Sequence, residues 1–120
     1  MWSIQPIPQW RQDHHSFAKK FPNEAAAVFA NLDRLLGLLN RAPNAKSVQA
    51  GFLHTEGKGV LAVDQKGQGR NLRETRLYVY ADDAEKVLYL ITTGNKRTQP
   101  KDIAFAHGFV NENFSKERKK

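Results

Sequence analysis

The chain has 120 residues, carries a formal net charge of +7 at pH 7 and contains no cysteine. Its length predicts a single domain over residues 1–120, and the missing cysteines exclude disulfides and thiolate zinc sites. No apolar run approaches the roughly 18 residues of a transmembrane helix, and residues 1–6 lack the layout of a signal peptide. These features favour a soluble cytoplasmic protein without membrane association, and the basic charge favours a polyanionic partner.

The N-terminal half predicts a short strand followed by two helices. Residues 4–7 have a strand pattern that belongs at a sheet edge, because Pro6 cannot donate a ladder hydrogen bond. Residues 11–21 are typical of a helix, and a second helix is expected from Asn23 as its N-cap to Asn40. Apolar residues recur there at helical spacing, at Ala25, Val28, Phe29, Leu32, Leu35, Leu36 and Leu39. The two segments are expected to form a helical hairpin with one apolar face.

After Pro43 the apolar period shortens to two residues, which predicts antiparallel strands. Strands are expected near residues 48–52, 61–63, 72–80 and 87–92. Thr98 or Gln99 is expected to cap a last helix, and residues 115–120 are expected to fray as a basic tail. The predicted fold class is α+β, with an N-terminal helical hairpin packed on a small, mostly antiparallel sheet of about four strands, followed by a C-terminal helix.

The predicted strand at residues 76–80 has two different faces. Alternation places Leu77 and Val79 on one face and Arg76, Tyr78 and Tyr80 on the other. The apolar face is expected to pack on the helical hairpin, while the polar-aromatic face is expected to stay open. On an open face, Tyr78 and Tyr80 could stack on RNA bases. Tyrosine is also an ordinary strand former, which is the alternative explanation for each of them.

Cations follow the same pair of strands. Lys96 and Arg97 come at the end of the neighbouring strand, so they are expected to form one patch with Arg76. Such a patch suits phosphate binding, or stabilisation of the charge that grows on phosphate oxygens during cleavage. His107 lies in the predicted last helix, from which a general acid or base could reach the patch. The alternative is a set of solvated surface charges and a surface histidine.

A flexible, glycine-containing basic loop precedes Arg76. Together with an earlier turn it contributes four further candidate RNA-binding residues, Lys58, Lys66, Arg70 and Arg73. Glycine-rich hairpin turns are also common in proteins without any such role. The histidines and carboxylates have no spacing typical of a metal site, and neither a metal nor a cofactor is expected.

The strand pair resembles that of a bacterial toxin family, the RelE/HigB/ParE superfamily, in its phage- and plasmid-borne branch. Members carry an arginine that opens the third strand and is followed by aromatic-rich sequence, as at residues 76–80. They continue with Gly-Asp-Lys-x-x-Gln-x-x-Asp-Ile, which is matched from Gly94 to Ile103 with Asn95 in place of the first acidic residue. The layout agrees over residues 20–112, and the sequence match is sharp over residues 72–104.

The resemblance implies a RelE-like fold and the toxin component of a type II toxin–antitoxin system, held inactive in an oligomeric complex by a cognate antitoxin protein. It implies an endoribonuclease that cleaves mRNA on the ribosome, an mRNA interferase that inhibits translation. The ribose 2′-hydroxyl would attack the adjacent phosphate while Arg76, with Lys96 or Arg97, stabilises the developing charge. Alternatives on the same fold are a ParE-like DNA gyrase inhibitor and a non-catalytic basic RNA-binding domain. The chain has no tyrosine after Tyr89, so the general base stays open.

Overall fold

The computed structural model describes the backbone of residues 1–118 and the side chains of residues 1–114. Over that range the chain forms three α-helices and five strands, in the order β1 (Ser3–Pro6), α1 (Pro8–Lys20), α2 (Pro22–Arg41), β2 (Leu53–Thr55), β3 (Val60–Asp64), β4 (Thr75–Asp82), β5 (Val87–Asn95) and α3 (Gln99–Arg118). The α+β class is thereby confirmed. Of the tail expected to fray, residues 119 and 120 lie outside the described part of the chain.

The strands form one mixed sheet in the order β1-β5-β4-β3-β2. Strands β2 to β5 pair with one another in antiparallel fashion, while β1 pairs in parallel with β5 at the sheet edge, where its proline predicted it to lie. The sheet thus has five strands, where about four were expected. No strand forms at residues 48–52, where one was expected. The 3-10 turn at Ala45–Ser47, capped by Asn44, is followed by a turn in which the Leu53 N–H donates to the Ala50 oxygen, and β2 begins only at Leu53.

The start of α2 differs from the prediction, and an additional capped turn precedes α3. α2 begins at Pro22, so Asn23 lies inside the helix. Proline is tolerated at this first position because the N–H groups of the first helical turn have no partner within the helix. Before α3, Asn95 caps a 3-10 turn, and α3 itself begins at Gln99, directly after Thr98. The Asn95 side chain accepts hydrogen bonds from the backbone N–H groups of Arg97 and Thr98, and the Thr98 hydroxyl accepts one from the Asn95 N–H. This capping box closes a 3-10 turn at Lys96–Thr98 that leads directly into α3.

Helices cover both faces of the sheet. On one face, Leu77 and Val79 pack with the apolar side chains of α2. On the other, Tyr78 is fully buried against Ala106 and Val110 of α3. The prediction of an open polar-aromatic face is therefore wrong, because the apolar stripe of the last helix needs a partner and this face of the sheet is where it packs. None of the helices within residues 1–118 is long and apolar enough to span a membrane.

A buried polar contact joins α1 to the sheet. The hydroxyl of Thr93 accepts a hydrogen bond from Trp10 Nε1 at 3.1 Å and bonds His14 Nδ1 at 3.1 Å. The His14 ring stacks on the Trp10 ring, with 4.6 Å between their centroids. Burial lowers the pKa of His14 below its ordinary value of 6.5, because the charged imidazolium loses its hydration at this position.

This environment predicts that acid weakens the fold through His14. The unfolded chain takes up a proton near pH 6.5 and the folded chain only at lower pH, so the free energy of unfolding falls as the pH decreases through that window. We expect thermal melting between about pH 7.5 and pH 5 to show a smaller decrease for His14→Phe than for the wild type. The control His15→Phe alters an exposed neighbour and is expected to keep the wild-type pH profile. Equal profiles for all three proteins would contradict the prediction.

Candidate functional site around Arg76

Arg76 lies in β4 with its guanidinium held by carboxylates. Its Nη1 donates to Glu56 Oε2 at 2.7 Å, and its Nε lies 3.8 Å from Glu74 Oε2. The Arg76 side chain is 19% exposed and that of Glu56 14%. Nε is buried and has no hydrogen-bond partner among the described residues. The guanidinium thus lies between two carboxylates, and its Nε, although close to Glu74, forms no hydrogen bond.

Glu56 connects Arg76 to His107. It lies in the loop between β2 and β3, and its backbone oxygen is 2.7 Å from His107 Nε2. Because a carbonyl oxygen can only accept, Nε2 carries the proton in this contact. Gly57 packs against the same ring, since a Cβ there would come within 3.4 Å of Nε2. Glu56 therefore contacts the Arg76 guanidinium through its carboxylate and the His107 imidazole through its backbone oxygen. These three residues, from the β2–β3 loop, β4 and α3, are hereafter the Arg76 cluster.

Glu56 is the member of this cluster that the sequence did not identify. It precedes the turn of Gly57 and Gly59, and periodicity gives no indication that this turn folds over α3. Glu56 is separated by 20 residues from Arg76 and by 51 from His107. A lone acid before a glycine-containing turn is a weak signal, and only the pairing of the strands and the docking of α3 make it informative.

Apart from Arg76, the predicted cations near this site lie in the β2–β3 loop and in the turn after β5. Lys58 is exposed at the tip of the β2–β3 loop, next to the glycine that contacts His107. Lys96 and Arg97 are exposed in the 3-10 turn after β5. The strand register pairs Arg76 with Gly94, so this basic pair lies beyond the end of the β4–β5 ladder. The contacts made by Arg76 are with glutamates, and not with a converging set of cations.

The basic loop before β4 packs on the opposite side of the sheet, against α2. Buried Asn31 donates to the backbone oxygens of Asp64 at 2.8 Å and Lys66 at 2.9 Å. The backbone N–H of Arg73 donates to Glu24 Oε2 at 3.0 Å, and its guanidinium lies 5.5 Å from the centre of the Phe21 ring. These contacts attach the loop to α2 near both of its ends. Its exposed cations, Lys66, Arg70 and Arg73, form a surface distinct from the Arg76 cluster.

The two tyrosines predicted to stack on bases are engaged in the core. Tyr78 is fully buried, which excludes a base from its ring. Burial, with the nearby charges of Asp102 and Glu56, raises the pKa of its phenol, and the hydroxyl has no hydrogen-bond partner among the described residues. Tyr80 is half-buried and stacks on Phe114, with 4.5 Å between ring centroids. Helix α3 thus covers the aromatic face of the sheet that was expected to bind RNA.

Within the described residues, no group of three or more His, Asp or Glu side chains is arranged to hold a metal ion. Comparison of the chain with known protein families, with curated proteins and with solved structures finds no match. The arrangement of the Arg76 cluster is therefore the main basis on which to assign a function.

Proposed function

We propose that this protein is a RelE-like toxin of a type II toxin–antitoxin system, an endoribonuclease that cleaves mRNA on the ribosome. The observation that carries the proposal is that Glu56 contacts Arg76 through its carboxylate at 2.7 Å and His107 through its backbone oxygen at 2.7 Å. The arrangement of a helical hairpin, a mostly antiparallel sheet and a C-terminal helix supports it, as does the sequence match over residues 72–104. A cognate antitoxin and a cytoplasmic location belong to the same proposal.

The three groups suit cleavage of RNA by its own 2′-hydroxyl. The Glu56 carboxylate accepts the 2′-hydroxyl proton as the 2′-oxygen bonds to phosphorus. Arg76 stabilises the negative charge that grows on the phosphate oxygens. The bond from phosphorus to the 5′-oxygen then breaks, and the imidazolium form of His107 gives that oxygen a proton. This assignment supplies the proton-transfer groups that the sequence pattern left open.

Arg76 has to exchange partners when RNA binds. In the free protein Nη1 donates to Glu56, whereas the buried Nε, 3.8 Å from Glu74, forms no hydrogen bond. A phosphate oxygen that reached Nε would satisfy that donor, and further charge-assisted bonds at the guanidinium would release Glu56 to act on the ribose. The exposed cations Lys58, Lys96 and Arg97 would add salt-dependent attraction to the RNA backbone.

The limited exposure of the pair favours one other candidate function. With side chains 19% and 14% exposed, Arg76 and Glu56 could be a structural ion pair. In that case the chain would bind RNA through its exposed cations without cleaving it. Cleavage of transcripts separates the two candidates, since a non-catalytic RNA-binding domain leaves mRNA intact. DNA damage with intact mRNA would instead favour a gyrase inhibitor of the same fold.

The direct test is induced expression in bacterial cells. We expect growth arrest and transcripts cut at codon-periodic positions, with Glu56→Gln and His107→Gln each lowering cleavage by about 10²-fold. The matched control is Glu74→Gln, which makes the same change at a more exposed carboxylate 3.8 Å from Arg76 and is expected to keep wild-type cleavage. Cleavage that persists in both site variants would refute the assignment of the Arg76 cluster.

A further inference from the structure

A cleft of about 470 Å³ opens between α1, the end of β5 and the start of α3. Its lining includes two carboxylates, Asp13 from α1 and Asp102 from α3, and three phenylalanines, Phe17, Phe21 and Phe105. Arg76, Glu56 and His107 are not among the residues that line it. The cleft is thus separate from the proposed reaction site.

The two carboxylates of the cleft have no cationic partner. Asp102 is only 8% exposed, and its Oδ2 accepts a hydrogen bond from the Thr98 hydroxyl at 2.6 Å. Its Oδ1 accepts none from the described residues. Asp13 accepts from Gln9 at 2.9 Å and from the Thr92 hydroxyl at 2.7 Å. Within residues 1–114 neither acid forms an ion pair, although the chain carries a net charge of +7.

The two carboxylates also act on each other electrostatically. Burial raises the pKa of Asp102, and the negative charge of Asp13 raises it further, while the Thr98 hydrogen bond and the charge of Lys101 oppose this. Lys101 and Lys20 line the cleft but are exposed. Asp102 lies in the first turn of α3, where the positive end of the helix dipole stabilises its negative charge. It does not account for Asp13, nor for the aromatic rings beside the pair.

Those rings suit a flat cation. Phe105 is 40% exposed, one of the few large apolar side chains in the described chain that solvent reaches to that extent. Phe21 lines the same cleft, and the guanidinium of Arg73 lies 5.5 Å from the centre of the Phe21 ring. A ring beside unpaired carboxylates attracts a guanidinium more than an ammonium, because the planar group stacks and donates several hydrogen bonds at once.

We propose that this cleft binds a guanidinium group between the carboxylates of Asp13 and Asp102 and against the ring of Phe105. A free guanidino compound and an arginine side chain of a polypeptide share this chemistry. A free amino acid would in addition direct its own carboxylate towards Lys20 and Lys101. The site needs no metal and is independent of RNA cleavage.

Titration calorimetry of the full chain at low salt tests the proposal with three probes: L-arginine, N-acetyl-arginine amide, and N-acetyl-citrulline amide as the neutral isostere. We expect both arginine probes to bind and the citrulline probe not to bind. Tighter binding of L-arginine would indicate a free amino acid as the source, and equal or tighter binding of the amide would indicate a polypeptide. Failure of both arginine probes, or equal binding of the citrulline probe, would overturn the proposal.

Variants locate the bound group. Asp13→Asn is expected to weaken arginine-amide binding by about tenfold, the effect of losing one charge-assisted hydrogen bond. Phe105→Ala is expected to weaken it by about threefold. Asp33→Asn removes an exposed acid of α2 and controls for the change in net charge, and thermal melting confirms that each variant folds. Equal effects of Asp13→Asn and Asp33→Asn would place the cation outside the cleft.

Discussion

Replacing Gly94 with alanine is expected to lower the free energy of unfolding by about 3 kcal/mol, through overpacking at the junction of β5 and α3. A Cβ at this position would overlap the carboxylate of Asp102 and the hydroxyl of Thr98. These two groups are hydrogen-bonded to each other, and the Thr98 hydroxyl also accepts a hydrogen bond from the Asn95 N–H, so neither can move away alone. Urea unfolding followed by circular dichroism measures the effect.

The control is the same substitution at Gly108, within α3. A Cβ there meets no atom within 4 Å, and alanine favours the helix more than glycine does. Gly108→Ala is therefore expected to raise the free energy of unfolding by about 0.5–1 kcal/mol. If Gly94→Ala were as stable as the wild type, the packing of α3 against β5 described above would be incorrect.

Arg76→Lys is expected to reduce ribosome-dependent mRNA cleavage by about 10²–10³-fold while the protein stays folded. Lysine keeps the positive charge beside Glu56, so the carboxylate is not left buried and unpaired. It loses the planar set of donors that can bond a phosphate oxygen and Glu56 at the same time. Primer extension on transcripts from an in vitro translation reaction measures the cleavage, and thermal melting measures the fold.

Arg70→Lys makes the same chemical change on the opposite surface of the sheet. Arg70 is exposed in the loop that packs on α2, so its replacement by lysine is expected to leave cleavage near the wild-type rate. Wild-type cleavage by Arg76→Lys would show that the guanidinium takes no part in the reaction. An equal loss in both variants would mean that general RNA affinity, and not the Arg76 cluster, limits the rate.

Several elements of the fold follow from local pattern. The proline of β1 predicted an edge strand, the spacing of apolar residues along α2 predicted its length to within about one residue at its C-terminal end, and the alternation at residues 76–80 predicted the faces of β4. Each of these signals arises from residues that lie within a few positions of one another. The 3-10 turn before α3, which Asn95 caps, was not predicted, because the pattern indicated only a cap next to the α-helix.

The candidate site was predicted only in part. Arg76 and His107 were both identified from the sequence, but as parts of an open cationic patch with Lys96 and Arg97. The structure instead gives Arg76 a carboxylate partner and covers the aromatic face with α3. The four predicted RNA-binding cations are divided between the β2–β3 loop and the surface of α2, because the loop before β4 is bonded to that helix.

The sequence by itself determined the order of the elements, the α+β class and which side chains share a face. These depend on backbone periodicity and on the local effects of proline, and both are readable over short stretches. Only the tertiary structure decided what covers each face of the sheet and which groups meet there. The contacts of Glu56 with Arg76 and His107, and of the Asp13 cleft with α3, join residues far apart in the chain. Such contacts depend on how whole elements pack, which no local pattern encodes.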